Sequence, residues 1–282
     1  MILRLGQTYP VRLLCDVLDV PRSSVYYTPK SNPGDKAILD RIEKILMRWP
    51  FYGYRRITAQ LKRENVIAGE TRIRRLLKEL GHTASVGRVS IATTDSKHNE
   101  RRFPNLIKDL DIVRPNQVWV ADITYIRMGH QFFYLAVILD AYTRGLRGWH
   151  MSRSLASSSL TEEALTMALE RYPAPEIHHS DQGKQYAAGS YRDLLPTETK
   201  VSMSAAGTPT ENALVERFMR TLKEEHIDYT DYQTISDALR QLSDWLEIEY
   251  MTERIHSSLE YLTPVEFEAA YYSQADSLFV TA

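Results

Sequence analysis

A nine-residue run, Val118-Trp-Val-Ala-Asp-Ile-Thr-Tyr-Ile126, is apolar and rich in β-branched side chains at both alternating sets of positions. That is the pattern of a strand buried on both faces, which belongs inside a sheet covered by helices on each side. The run carries one carboxylate, Asp122, and a charge in such a place is costly unless something binds it. Two further acids stand out by context. Asp181 ends a short strand over 176–180, with Gly183 marking a turn out of the sheet, so it lies at a strand's carboxyl end, where α/β sheets take ligands. Glu216 falls in a helix that opens with Thr208-Pro-Thr-Glu211, a capping-box pattern with proline at the first helical position. At 100° per residue its polar stripe is Asn212, Glu216, Arg220 and Lys223, opposite Leu214, Val215, Phe218, Met219 and Leu222.

The pattern around these acids predicts strands over 118–126, 131–139 and 145–151, a helix over 157–171, the strand ending at Ser180, a helix near 190–195 and a strand over 200–203. Two long helices follow, the last over 234–249 with Ile235, Leu239, Leu242, Trp245 and Leu246 at core spacing. Carboxylates suit hard cations such as Mg²⁺, which take oxygen ligands and keep open positions for water and phosphate. Two such ions about 3.5–4 Å apart activate an attacking oxygen and stabilise a leaving one. Asp140, in Asp140-Ala-Tyr-Thr-Arg144, reads instead as a turn stabiliser with Arg144 as its partner. His178 and His179, neighbours on a strand, face opposite sides of it and so do not form a metal pair.

The formal charge of −1 averages two opposite halves. Residues 1–110 hold 21 Lys+Arg against 11 Asp+Glu, and the remainder 14 against 25, so +10 is followed by −11. A basic amino-terminal region supplies phosphate contacts, while an acidic one suits metal chemistry. Within the basic region, helices over 11–18 and 22–27 have helix-turn-helix length, placing Arg22, Ser23 and Ser24 at the start of the second. Further helices end at Arg48 and run over 54–64 and 70–80, the last two carrying Arg55, Arg56, Arg72, Arg74, Arg75 and Lys78. Residues 83–110 read as a linker, strand-like over 86–91. A single cysteine, Cys15, excludes an internal disulfide framework and a cysteine-rich zinc site. No apolar run reaches the length of a membrane span, and the chain is expected in the cytoplasm, on the nucleoid.

The motifs Pro115-Asn-Gln-Val-Trp-Val-Ala-Asp-Ile-Thr-Tyr-Ile126, Leu139-Asp-Ala-Tyr-Thr-Arg144, His179-Ser-Asp-Gln-Gly-Lys-Gln-Tyr186, 203–216 and Thr252-Glu-Arg-Ile-His-Ser-Ser-Leu259 occur in this order, with 58 residues between Asp122 and Asp181 and 34 between Asp181 and Glu216. Upstream stand Tyr52-Gly-Tyr-Arg-Arg-Ile57 and Arg72-Ile-Arg-Arg-Leu-Leu77. Together they resemble the DDE transposases of bacterial insertion sequences, of the downstream-frame (OrfB) type whose catalytic domain is close to retroviral integrase. The resemblance spans nearly the whole chain. It implies an α/β fold, an RNase H-like mixed five-stranded sheet flanked by helices, preceded by a small all-α helix-turn-helix region. The expected divisions are 1–82 for DNA binding, 83–110 as linker, 111–272 as catalytic core and 273–282 as tail. It implies Asp122, Asp181 and Glu216 as catalytic residues and ligands of two Mg²⁺ or Mn²⁺ ions, with Lys184, Arg220 and Lys223 beside them on DNA. The implied partners are double-stranded DNA of the element ends and target, further copies of the chain, and an upstream-frame OrfA product.

The chain departs from the family pattern at Glu211, Arg217 and Met251, none of them in the triad. Glu211 remains an alternative third carboxylate. Two other readings keep the same fold: a DNA-binding regulator without catalysis, and a metal-dependent nuclease that cuts without joining.

Overall fold

A computed structural model of the chain describes residues 5, 7–26, 34–82, 103–129, 131–205 and 212–280. The chain divides into two units, 1–83 and 84–282.

In the first unit, α1 (Val11–Val17) and α2 (Arg22–Val25) flank a turn in which Asp19 takes a left-handed conformation, which aspartate tolerates better than most residues. The sequence predicts 22–27 for the second helix, and it ends at Val25. Three longer helices follow: α3 (Asp35–Arg48), α4 (Tyr54–Arg63) and α5 (Glu70–Glu79). Their apolar stripes bury Ile38, Ile42, Ile45, Ile57, Leu61, Ile73, Leu76 and Leu77 as one small core. Asp35, in the first turn of α3, accepts hydrogen bonds from Arg72 (2.7 Å) and Arg75 (2.6 Å) and so ties α3 to α5. The two guanidinium groups hold its carboxyl below the usual range, Arg75 contributing most.

The second unit is built on a sheet of β1 (Val118–Met128), β2 (Gln131–Asp140), β3 (Leu146–Ser152), β4 (Ile177–Ser180) and β5 (Lys200–Met203), in the order β3-β2-β1-β4-β5. The first three strands are antiparallel neighbours, and β4 and β5 run parallel to β1. This is the RNase H-like mixed sheet, with β1 at its centre. Alternation sends Val118, Val120 and Ile126 of β1 to one face, where they pack with Val215, Phe218 and Leu222 of α9 (Ala213–Glu225). Trp119 and Ala121 point the other way, onto α6 (Thr161–Arg171), α7 (Lys184–Ala187) and α8 (Gly189–Asp193). Both faces are therefore covered.

Gly148 on β3 lets α6 sit close. A Cβ there would land on the Ala164 carbonyl oxygen and 3.0 Å from the Ala168 backbone nitrogen. Gly148→Ala is expected to cost about 2–3 kcal/mol in chemical denaturation, since neither helix backbone nor strand can yield locally.

Two expectations are corrected here. Residues 103–110 are not a free linker: Phe103, Ile107 and Leu110 pack on the core, and the Met203 N–H donates to the Pro104 carbonyl (3.3 Å). The strand expected over 86–91 lies outside the described residues. The helix expected over 234–249 is α10 (Ile235–Ser243) continued by a π-helix, Asp244–Glu253. Its wider turn places Trp245 with Tyr250 and Leu246 with Met251, each five residues apart, against the core together. Within the expected tail, 273–282, the chain is helical as far as Val280, the end of α11 (Pro264–Val280).

Asp140 is a structural acid, but its ionic partner is Arg147 (3.2 Å), not Arg144, and both side chains are fully buried. Arg147 also bonds Glu268 of α11 (3.1 Å), while Asp140 accepts N–H bonds from Asn116, Tyr142 and Thr143. Among the described residues, no helix is long and apolar enough to cross a membrane.

Candidate active site

The parallel ladder between β1 and β4 runs from Val118 opposite Ile177 to Ala121 opposite Ser180. Asp122 and Asp181 are the next residues on the two chains, which places them side by side at a spacing of about 4.8 Å. The ladder stops there because Asp181 turns to accept the Gly183 N–H (2.9 Å), opening the bend into α7. β1 runs on to Met128 without that neighbour, leaving an open edge from Asp122 onward.

Two anchors hold α9 along this edge. The Asn212 side-chain amide reaches the Ala121 carbonyl (3.5 Å), and Lys223 Nζ lies 4.4 Å from the centre of the Tyr125 ring. Glu216, in the first turn of α9, falls on the stripe between them. Thr208 to Glu211, the expected capping box and alternative acid, lie outside the described residues.

The electrostatics couple the three acids. Asp122 is half-buried, and its carboxyl is pushed up to about 8, first by burial, then by the charge of Asp181, with Glu216 adding to it. The Ile123 N–H (2.8 Å) and Lys223 oppose the shift. Glu216 is raised by burial and by Asp181 against the pull of Arg220. Tyr186 is buried within the field of Asp122 and Asp181, and its hydroxyl has no hydrogen-bond partner among the described residues. Among the described residues, no three His, Cys, Asp or Glu side chains form a ready-made metal group. The donors that are present, carboxylates crowded until they resist ionisation, fit a hard cation, whose charge would relieve the crowding.

A cleft of about 130 Å³ opens on this edge, lined by Asp122, Asp181, Lys184, Tyr125, Tyr134 and Leu155. Lys184 is exposed at its rim and Arg220 is exposed on α9, whereas Lys223 is half-buried. Gly183 is fixed by its neighbour: a Cβ there would stand 2.9 Å from Asp181 Oδ1. Gly183→Ala is therefore expected to shift the Asp181 carboxylate, read as a change in the Asp181 side-chain NMR signals, with an unchanged circular dichroism spectrum as the check that the fold survives.

The histidines are occupied elsewhere. His178 bonds the Tyr191 hydroxyl (2.5 Å) and is depressed to about 4 by burial, and His179 Nδ1 meets Ser202 Oγ (2.8 Å).

In the first unit, Arg22, Ser23 and Ser24 are exposed on α2, and Arg55 and Lys78 are exposed on α4 and α5. Arg74 lies 3.9 Å over the Tyr54 ring, and Arg56 lies 5.2 Å from the Tyr52 ring. The cluster read from sequence is thus divided. Arg72 and Arg75 are engaged with Asp35, and Arg75 also with Glu79 (2.6 Å).

Tyr125 and Tyr134 escaped the sequence reading as site residues, and Asn212 entered it only as a member of the polar stripe. A signal existed for the tyrosines: the two predicted strands lie close in sequence, and pairing them as neighbours with Met128 opposite Gln131 sets Tyr125 opposite Tyr134.

Known proteins resemble this chain in sequence. Two integrase core domain families match residues 113–209 and 197–264, and an HTH-like domain family matches 33–88. A 31 kDa protein of insertion element IS600 from Shigella sonnei is 36% identical, over 93% of this chain and 100% of its own length. The transposase of element IS904 from Lactococcus lactis is 33% identical over 77% and 87%. Transposase InsF of IS3A from Escherichia coli is 30% identical over 92% and 94%. With an integrase core domain behind an HTH-like domain, the chain belongs to the DDE transposases of bacterial insertion sequences, of the OrfB type.

Proposed function

We propose that Asp122, Asp181 and Glu216 are the catalytic acids of this transposase, and that they hold two Mg²⁺ or Mn²⁺ ions while a phosphodiester at an element end is cut and the freed 3′-hydroxyl is joined to new DNA. The observation that carries the reading is the coupling of Asp122 to both other acids at the open end of the central ladder. Bound metal would supply a polarised phosphoryl oxygen and an activated attacking oxygen.

The chain's own residues do the rest. Asp122 lies on the central strand and feels both partners, which suits it to a shared ligand position. Asp181 is pre-set by the Gly183 N–H. Glu216 sits exposed on the first turn of α9, where a rotamer change can bring it inward. Lys184 at the rim holds a DNA phosphate, with Arg220 and Lys223 on the α9 side. In the basic unit, Arg22, Ser23, Ser24, Arg55, Arg56, Arg74 and Lys78 contact the end sequence, while Arg72 and Arg75 first hold Asp35. Opposite charge on the two halves of the chain favours assembly of several copies on paired ends, with the upstream-frame product as a further partner.

The test is a titration of Mg²⁺ and Mn²⁺ into full-length protein with duplexes carrying the element ends, scored for cutting and for joining. Metal-dependent production of both supports the proposal. Cutting without joining would favour a nuclease, and end binding without either would favour a regulator. Loss of activity in Glu211→Gln but not Glu216→Gln would move the third ligand to Glu211.

A further inference from the structure

We propose that Tyr125 and Tyr134 form a stacking platform for one unpaired base of the DNA end, beside the phosphodiester that reacts. The proposal rests on the reading of Asp122 and Asp181 given above.

The two tyrosines are direct partners across the β1–β2 ladder, so their side chains leave the same face as neighbours. Both are half-buried and line the cleft that holds the two aspartates, with Leu155 as an apolar wall. The Tyr125 ring is supported by Phe132, edge to face at 5.8 Å, and by Lys223 Nζ at 4.4 Å. The cleft's volume, about 130 Å³, suits a single base ring and not a base pair.

Distance along the strand fits as well. Tyr125 is three residues beyond Asp122, about 10 Å in an extended chain. A nucleotide whose phosphate lies against the carboxylates can reach that far with its base. Lys184 at the rim and Lys223 against the Tyr125 ring favour a nucleic acid over a neutral apolar ligand. Stacking on tyrosine is tolerant of base identity, so the platform would hold the opened end in place without reading its sequence. Opening one pair has an energetic cost, which the platform offsets.

The test places 5-iodouracil at successive positions around the scissile phosphate of end duplexes, irradiates the complex with full-length protein, and maps the cross-links by mass spectrometry. Cross-linking to Tyr125 or Tyr134 from one position is the expected result. In the cutting assay, Tyr134→Leu should slow fully paired ends about tenfold, Tyr134→Phe should keep the parental rate, and a mismatch at the cross-linking position should restore Tyr134→Leu. Cross-links confined to other residues, or an equal loss on paired and mismatched ends, would overturn the platform. If Asp122→Asn still cuts, the reading of the acids fails instead, and the cross-link map alone then decides the platform.

Discussion

Asp122→Asn is expected to bind DNA ends as the parent does and to cut them at least about 10³-fold more slowly, because the proposed metal site would lose a carboxylate ligand and with it several kcal/mol of stabilisation. The same substitution should change stability in a pH-dependent way. Without metal, the folded carboxyl titrates at about 8, against about 4 for an unfolded aspartate. Between those values the folded state binds more protons than the unfolded state, so parental stability falls as pH rises from 4 to 8. Asparagine removes that term. The variant should therefore gain on the parent across this window and match it most closely at the acid end. Divalent ions should raise the parent's melting temperature and leave the variant nearly unmoved. Thermal melts at pH 5 and pH 8, with and without Mn²⁺, read all of this; a variant that loses stability relative to the parent as pH rises would contradict it.

The second large effect lies away from the chemistry. Asp140→Ala is expected to destabilise the second unit by about 3–5 kcal/mol, because it leaves the fully buried Arg147 without one of its two carboxylate partners and removes the acceptor of three backbone N–H groups. Urea denaturation measures the loss directly. Glu268 still engages Arg147 in the variant, so Arg147→Ala, which strands Asp140 and Glu268 together, should cost at least as much. Cutting activity in whatever Asp140→Ala remains folded should stay near parental, which separates this acid from Asp122.

Much of the sheet was legible because its strands obey simple rules. The run around Asp122 lacks polar alternation and is the central strand, covered by α6, α7 and α8 on one side and by α9 on the other. Asp181 ends its strand as the following glycine indicates. What the sequence hid depends on distant partners. Arg144 stands four residues from Asp140, but it occupies a left-handed turn position and gives its N–H to the Asp140 carbonyl. The returning strand brings Arg147 to the carboxylate instead. The π-helix has no local signature, because a spacing of five becomes an advantage only when the core on one side is already in place. Residues 103–110 looked like linker because their few apolar groups are scattered, yet Phe103, Ile107 and Leu110 pack against the core while Leu106 stays exposed. Arg72 and Arg75 are indistinguishable from their neighbours in sequence, and only the packing of α3 against α5 selects them for Asp35.

The most direct measurement is a strand-transfer assay on element-end duplexes with full-length parent, Asp122→Asn, Asp181→Asn and Glu216→Gln, each first shown by gel shift to bind the same duplex. The account predicts that the parent cuts and joins in Mg²⁺ or Mn²⁺ and that all three variants bind and do neither. Joining by any one of the variants at a rate near parental would contradict the claim that these three acids act as one site.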